Sequence, residues 1–240
     1  PPGRTHHCNG LSITTPLRLL QVNNNQCTPA QDLLLKNMAL WSINIAVVSE
    51  PYYVLPRGDW VQDLNGSVTL ISLAAADIPL LEAVMRGWGC VATRFEDIAV
   101  VGVYLSLTRS LGDFHISLME LNAVVAAFGS LPVVVCGDFN AKNLAWGSRY
   151  TNQWSRMVED WALETGLVVL NRGSVPTCVR MWVTQWWTSR SFSFFLFHIV
   201  KKNGGGGYVL TTGTSGLTAA TVQGWVQALD RPVDIDVEAE

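Results

Sequence analysis

The chain has 240 residues, of which 49% are hydrophobic and 15% charged, and a net charge of −3 at pH 7. Its length and apolar content suit one large globular domain with a substantial core. The slight negative charge excludes a protein coated with positive charge, so any contact with nucleic acid has to be local or assisted by a metal ion.

The cysteines and the termini bear on the cellular compartment. Five cysteines are scattered without the close pairing of a zinc site or a small disulfide scaffold, which favours a reducing compartment. Residues 1–16 are polar and lack the apolar core of a signal peptide. The longest apolar run, residues 192–200, is shorter than the roughly 20 residues that a membrane span needs. We therefore expect a polar leader over residues 1–16 and a soluble intracellular protein without a membrane segment.

The first predicted elements are a strand over residues 17–22, which delivers Asn23 to its end, and a helix. Thr28 is predicted to cap this helix, with Pro29 at its first position and Gln31 closing a capping box. A further buried strand over residues 43–48 delivers Glu50 in the same way. An apolar strand over residues 98–107 carries Tyr104.

The central predicted strand is the β-branched run of residues 133–135, which Gly137 ends. Asp138 and Asn140 follow it, and in an extended chain both would point to the same side. Gly-Asp-x-Asn is also good turn chemistry, so this segment alone leaves a turn and a catalytic role open.

Helices are predicted on either side of this central strand. Apolar residues at helical spacing run from Phe114 to Phe128, with Gly129 just past the end. A second helix over residues 154–161 ends near Gly166 and leads to a strand over residues 167–170. Alternating strands and helices with buried strands predict an α/β fold.

Polar side chains thus follow several strands at the points where they end. Asn23, Glu50, Asp138 and Asn140 stand at three such ends, and Tyr104 lies on a fourth strand. Mg²⁺ prefers one or two carboxylate ligands and retains several waters. The phosphate needs neutral hydrogen-bond donors in the transition state, and the attacking water needs a base. The pattern therefore predicts metal-dependent chemistry on a phosphate group.

Five motifs in order carry a family resemblance. They are Gln21-Val-Asn23, Ser49-Glu-Pro-Tyr52, Val103-Tyr104, Gly137-Asp-Phe-Asn-Ala141 with Trp146-Gly-Ser148, and Leu170-Asn-Arg-Gly-Ser-Val-Pro-Thr177. Over residues 17–180 the chain resembles the endonuclease domain of non-LTR (LINE-type) retrotransposons, in the DNase I-like endonuclease/exonuclease/phosphatase superfamily. The resemblance implies an α/β sandwich of two β-sheets flanked by helices.

The resemblance also implies roles for the residues at the strand ends. Asn23 and Glu50 would lie at the Mg²⁺ (or Mn²⁺), with Glu50 as its ligand. Tyr104 would stand beside the scissile phosphate, Asp138 would orient or deprotonate the attacking water, and Asn140 would position the phosphate. The implied reaction nicks one strand of double-stranded DNA and leaves a 3′-hydroxyl that primes reverse transcription. The implied partners are DNA and a reverse transcriptase domain of the same polyprotein, with action in the nucleus.

Residues 181–240 depart from the family pattern. The Val-Asp strand, the Gly-Trp-Arg-Val segment and the closing Ser-Asp-His of the family are missing. Codons for Gln185-Trp-Trp-Thr188 read one frame away give the missing Val-Asp, and residues 203–209 and 216–221 fit further family segments in that frame. We hypothesise a frameshift near Met181 that leaves the fold incomplete at its C-terminal side and the activity impaired.

Three other readings stay open. The chain could be another phosphodiesterase of the superfamily, such as a repair endonuclease or a phosphatase. It could be a catalytically dead remnant of the domain, which the missing Ser-Asp-His favours. An unrelated α/β protein with coincident turn motifs is the fourth possibility.

Overall fold

The computed structural model describes residues 18–73, 81–95, 98–146, 148–169, 196–201 and 226–228. In chain order its first elements are β1 (Leu19–Asn23), α1 (Thr28–Leu40), β2 (Ile45–Ser49), β3 (Trp60–Gln62), β4 (Val68–Ser72), β5 (Glu82–Arg86), β6 (Cys90–Phe95) and β7 (Ile98–Tyr104). These are followed by α2 (Leu111–Ala127), β8 (Val133–Asp138), α3 (Gln153–Glu164), β9 (Val168–Val169), β10 (Leu196–Lys201) and β11 (Val226–Ala228).

The strands form two mixed sheets. One has the order β11-β1-β2-β4-β3 and the other the order β5-β6-β7-β8-β10-β9. The pairs β1/β2 and β7/β8 are parallel, whereas the other pairs are antiparallel. Each sheet therefore has at its centre two parallel strands that end at the same edge.

The two sheets pack face to face, with helices on the outside. The inner layer joins Leu19, Val47 and Leu70 of the first sheet to Val100 and Cys136 of the second. The outer face of the first sheet packs on α1, and that of the second packs on α2 and α3. This architecture confirms the predicted sandwich of two sheets flanked by helices.

Local sequence explains where α2 and α3 begin and end. The hydroxyl of Ser110 accepts a hydrogen bond from the Asp113 backbone N–H, and the side chain of Asn152 caps α3 through the Ser155 N–H. Gly129 and Gly166 follow the two helices with positive φ angles of 57° and 67°. The predicted ends of both helices are confirmed.

The predicted capping box of α1 is wrong. The residue at the N-cap is Cys27, and it makes no side-chain capping bond. The amide of Gln31 turns instead toward the loop after Glu50, where it accepts a hydrogen bond from the Tyr52 N–H at 2.7 Å and donates one to the Tyr53 carbonyl at 2.7 Å. Tertiary contacts thus use the side chain that the local pattern assigned to the helix end.

Four strands, β3 to β6, were not predicted from the sequence. They are only three to six residues long, and the β3–β4 and β5–β6 turns contain glycine. Two strands come from the divergent segment 181–240. Strand β10 pairs with β8 in the second sheet, and β11 pairs with β1 in the first. The polar leader, the motif 170–177 and most of residues 181–240 lie outside the described residues, so the incomplete fold and the domain boundaries stay predictions.

Among the described residues, no helix has the length and apolar character that crossing a membrane would require.

Candidate active site

The alternation of side chains along the strands places three predicted site residues in the gap between the sheets. Leu19, Val100 and Val134 belong to the inner layer. Asn23, Tyr104 and Asp138 follow them by four residues on β1, β7 and β8, and therefore face the same gap. Because β7 and β8 are parallel and in register, Tyr104 lies directly beside Asp138.

Gly137 allows β8 to approach β7 closely enough for this placement. A Cβ atom at this position would lie 1.9 Å from the carbonyl oxygen of Val103, which is backbone and cannot move aside cheaply. Only glycine fits, so the residue just before Asp138 is fixed by the backbone of the neighbouring strand.

The side-chain amide of Asn23 joins the two carboxylates of the site. Its Nδ2 donates to Glu50 Oε2 at 3.1 Å and to Asp138 Oδ2 at 3.2 Å. The Tyr104 side chain, from the other sheet, lies close enough to the Glu50 carboxylate for that group to raise the pKa of its hydroxyl. Four of the five predicted residues, Asn23, Glu50, Tyr104 and Asp138, thus lie together at one end of the sandwich, and the Asn23 amide bonds to both carboxylates.

Glu50 has a backbone conformation that non-glycine residues rarely adopt, with a φ angle of 48°. Two backbone hydrogen bonds hold it there. Its N–H donates to the Ser67 carbonyl at 2.8 Å, and its carbonyl accepts from the Gln26 N–H at 2.8 Å. Strained backbone of this kind is concentrated at functional sites, where the surrounding structure has to enforce it.

Burial raises the pKa of Asp138 to about 7. The nearby negative charge of Glu50 acts in the same direction, whereas hydrogen bonds from the Asn140 N–H and the Asn23 amide and the charge of Lys142 lower it. Asp138 is 3% exposed. The carboxylate is therefore close to half ionised at neutral pH.

The pKa of the Tyr104 hydroxyl is raised well above its usual range. Burial is the main cause, followed by the charge of Glu50, the hydrogen bond to it and the charge of Asp138, while a hydrogen bond with Ser106 opposes them. Tyr104 is consequently a neutral hydrogen-bond donor at neutral pH.

The fold and part of the sequence are similar to those of known proteins. Residues 98–189 match a family model described as endonuclease-reverse transcriptase. The endonuclease domain of TRAS1, a telomere-specific non-LTR retrotransposon, superposes with a TM-score of 0.63 at 20% identity, covering 90% of this chain and 99% of that one. The fold is that of a DNase I-like endonuclease domain. The resemblance to non-LTR retrotransposon endonucleases is thereby confirmed.

A second solved structure has the same DNase I-like fold. An AP endonuclease from Archaeoglobus fulgidus superposes with a TM-score of 0.52 at 14% identity, covering 77% of this chain and 86% of that one. No curated protein matches the chain.

The donor set at these strand ends suits a hard divalent cation. Glu50 and Asp138 direct carboxylate oxygens toward the same amide, and the charge of Glu50 helps to raise the pKa of Asp138. No cluster of three or more His, Cys, Asp or Glu side chains occurs in the described part of the chain. Mg²⁺ fits such a site because it binds through one or two carboxylates and keeps several waters.

Asn23 is oriented as a donor and not as a metal ligand. Its Nδ2 faces the two carboxylates, while its Oδ1 accepts a hydrogen bond from the Asn25 N–H at 2.8 Å. Of the two predicted metal residues, Glu50 therefore has the better-placed oxygen. The assignment of Asn23 to the metal stays a prediction.

Asn140 does not continue an extended chain, so the predicted side-by-side exit of Asp138 and Asn140 is wrong. The φ angle of Asn140 is 53°, and its N–H donates to Asp138 Oδ1 at 2.9 Å in a tight turn. Its Nδ2 donates to the Leu105 carbonyl at 2.9 Å. The backbone of the Gly-Asp-x-Asn segment thus forms a turn, as its sequence also allowed. The role of Asn140 in positioning a phosphate stays a prediction.

Two residues that shape the site were not predicted. Gln31 is fully buried and holds the loop after Glu50. Asn152 holds the segment after Asp138, because its Nδ2 donates to the Asn140 carbonyl at 3.1 Å and its Oδ1 accepts from the Lys142 N–H at 3.0 Å. An asparagine just before a predicted helix is a recognisable signal for a cap, but its second bond to the loop has no sequence signature.

Proposed function

We propose that this chain is a Mg²⁺-dependent DNA endonuclease domain of a retrotransposon polyprotein. It nicks one strand of target DNA in the nucleus and leaves a 3′-hydroxyl from which a linked reverse transcriptase starts synthesis. The observation that carries the proposal is the convergence of Asn23, Glu50, Tyr104 and Asp138 in a DNase I-like fold, with the Asn23 amide bonded to both carboxylates. The family model over residues 98–189 supports the link to reverse transcription.

Each side chain has a chemical task in this proposal. Asp138, with a pKa of about 7, is suited to take a proton from the attacking water. Asn23 donates to Asp138 and fixes the direction of its carboxylate. Tyr104 stays protonated and can donate to a phosphate oxygen. Glu50 would hold Mg²⁺ or Mn²⁺, which when bound supplies positive charge to the phosphate.

The proposed activity is slow. The closing Ser-Asp-His of the family is missing from the sequence. One donor to the charge that develops in the transition state can be worth roughly 10²–10³ in rate. Without the Ser-Asp-His, the site can still bind substrate, but it stabilises the transition state little. The same observation favours a second candidate, a remnant that has the fold and the metal-side residues but no measurable activity.

Nicking of supercoiled plasmid tests the proposal. We expect slow conversion to open circles in Mg²⁺ or Mn²⁺, none in EDTA, and strong reduction in Glu50→Gln. DNA polymerase should extend the nicks directly, since they carry 3′-hydroxyl ends. Absence of metal-dependent nicking by folded protein would support the inactive remnant, and cleavage confined to abasic plasmid would indicate a repair endonuclease.

A further inference from the structure

A buried carboxylate outside the proposed site is connected to it through two turns. Asp63 follows β3 and is 2% exposed. Its Oδ1 accepts hydrogen bonds from the N–H groups of Ser67 at 2.7 Å and Val68 at 3.1 Å. Its Oδ2 accepts from the Ser67 hydroxyl at 2.7 Å and from the Gly89 N–H at 3.0 Å. Asp63 thereby ties the β3–β4 turn to the β5–β6 turn.

Both turns bond directly to residues of the proposed site. In the β3–β4 turn, the Ser67 carbonyl accepts from the Glu50 N–H at 2.8 Å. In the β5–β6 turn, the Gly89 carbonyl accepts from the Tyr104 N–H at 2.8 Å. The Asp63 carboxylate is therefore linked by hydrogen bonds through one intervening residue to the backbone of Glu50 in one sheet and of Tyr104 in the other.

The two turns also brace each other independently of this carboxylate. The Leu64 N–H donates to the Gly87 carbonyl at 3.0 Å. This bond keeps the turns near each other when Asp63 is altered. Substitution of Asp63 should therefore loosen the local geometry without unfolding the sandwich.

We propose that Asp63 is a positioning residue that sets the distance between Glu50 and Tyr104 across the gap between the sheets. Glu50 needs this support because its φ angle of 48° is intrinsically unfavourable. The consequence for catalysis rests on the proposed function. A displacement of about 1 Å in a positioned group can cost about 10²-fold in rate. The bonds of Asp63 can therefore affect the reaction rate although Asp63 does not touch the substrate.

Asp59 provides a matched control. It is also a buried carboxylate beside β3, with 7% exposure, and it is paired with Arg57. Its side chain bonds to Arg57 in the same loop and not to either turn. Asp63→Asn and Asp59→Asn each remove one buried charge beside β3, but only the first replaces an acceptor oxygen of the two turns by an NH2 group, which faces N–H donors and cannot accept from them.

Amide hydrogen exchange measured by NMR tests the positioning directly. In Asp63→Asn we expect faster exchange of the Glu50 and Tyr104 amides, whereas Asp59→Asn leaves both as in the wild type. Ser67→Ala removes one donor to Asp63 and should speed exchange at Glu50 only, which keeps the test decisive if Asp63→Asn does not fold. Unchanged exchange at Glu50 in Ser67→Ala, or at both amides in a folded Asp63→Asn, would overturn the proposal.

The Mg²⁺ concentration that gives half-maximal nicking tests the catalytic consequence. It is measured at a temperature at which both variants are fully folded by circular dichroism, so general destabilisation leaves it unchanged. Asp63→Asn should raise it roughly tenfold or more, as loss of a supporting contact does at metal sites, and Asp59→Asn should not. Equal values for the two variants would contradict the proposal. If the wild type does not nick DNA, the proposed function fails, and hydrogen exchange alone decides the role of Asp63.

Discussion

Asp138 is a carboxylate whose ionisation opposes folding. Its pKa in the folded chain, about 7, is higher than the usual value near 4 of an unfolded aspartate. Between these two pH values the folded state binds more protons than the unfolded state. The contribution of protonated Asp138 to the free energy of unfolding is therefore fully present below about pH 4 and is lost as the pH rises to about 7.

The pH dependence of stability tests this account of Asp138. In EDTA, the free energy of unfolding should fall with rising pH by up to about 1.4 kcal/mol per unit between about pH 4 and pH 7 as a result of this group. Asp138→Asn should remove that part of the slope. Urea unfolding at several pH values measures it, and identical slopes for the two proteins would contradict the assigned pKa.

Metal binding should offset the free-energy cost of ionising Asp138 in the folded chain. Because Mg²⁺ binds the ionised carboxylates, it should raise the melting temperature more at about pH 8 than at about pH 5. Glu50→Gln should lessen the gain by removing one of the two carboxylates. Thermal unfolding with Mg²⁺ or EDTA measures the effect. A gain independent of pH and of Glu50 would place the ion elsewhere on the protein.

Gly137 gives a further test at the scale of a residue. Gly137→Ala should destabilise the fold by about 3 kcal/mol or more, because its Cβ meets the Val103 carbonyl at 1.9 Å. Gly58 is the control, since a Cβ there meets nothing within 4 Å. Gly58→Ala should change stability by less than about 0.5 kcal/mol. Denaturant unfolding of both variants measures this, and similar losses in the two would contradict the close approach of β7 and β8.

At the scale of elements, helix α1 supports the site through one side chain. Gln31 is fully buried and holds the loop after Glu50, whereas Asn37 is buried on the same helix with its amide nitrogen unpaired. Gln31→Ala should cost about 1–3 kcal/mol, because it leaves the Tyr52 N–H and the Tyr53 carbonyl without their partner. Asn37→Ala should cost less. Comparable losses in urea unfolding would show that Gln31 serves only to fill space.

The central elements could be predicted from the sequence because their signals are local. Strands β1, β2, β7 and β8 are apolar runs, and their ends give the positions of Asn23, Glu50, Tyr104 and Asp138. Strands β3 to β6 are short and depend on pairing with distant strands.

Local patterns also failed where a tertiary contact competes with them. Gln31 matches a capping box, yet it bonds to a loop that is distant in the chain. Asn140 was expected in extended chain, but its turn follows from bonds to Asp138 and Leu105. The four bonds of Asp63 join residues of two turns, and no sequence pattern indicates that Gly89 is among them.

At the scale of the molecule, the site exists only when both sheets are packed together. Asn23 and Glu50 come from the first sheet, and Tyr104 and Asp138 from the second. Gly102 lies at the contact, where a Cβ would come within 3.1 Å of side-chain atoms of Val47, Val68 and Leu70. Small changes in the spacing of the sheets therefore change the distance between the two halves of the site.

We propose that Asp138, with Asn23, Glu50 and Tyr104, forms a metal-dependent nuclease site. Plasmid nicking by wild type, Asp138→Ala and Asp59→Ala, each shown to be folded by circular dichroism, tests it most directly. We predict slow nicking in Mg²⁺ that Asp138→Ala abolishes and Asp59→Ala retains. Nicking by Asp138→Ala at the rate of the wild type, or absence of Mg²⁺-dependent nicking by the folded wild type, would contradict the claim.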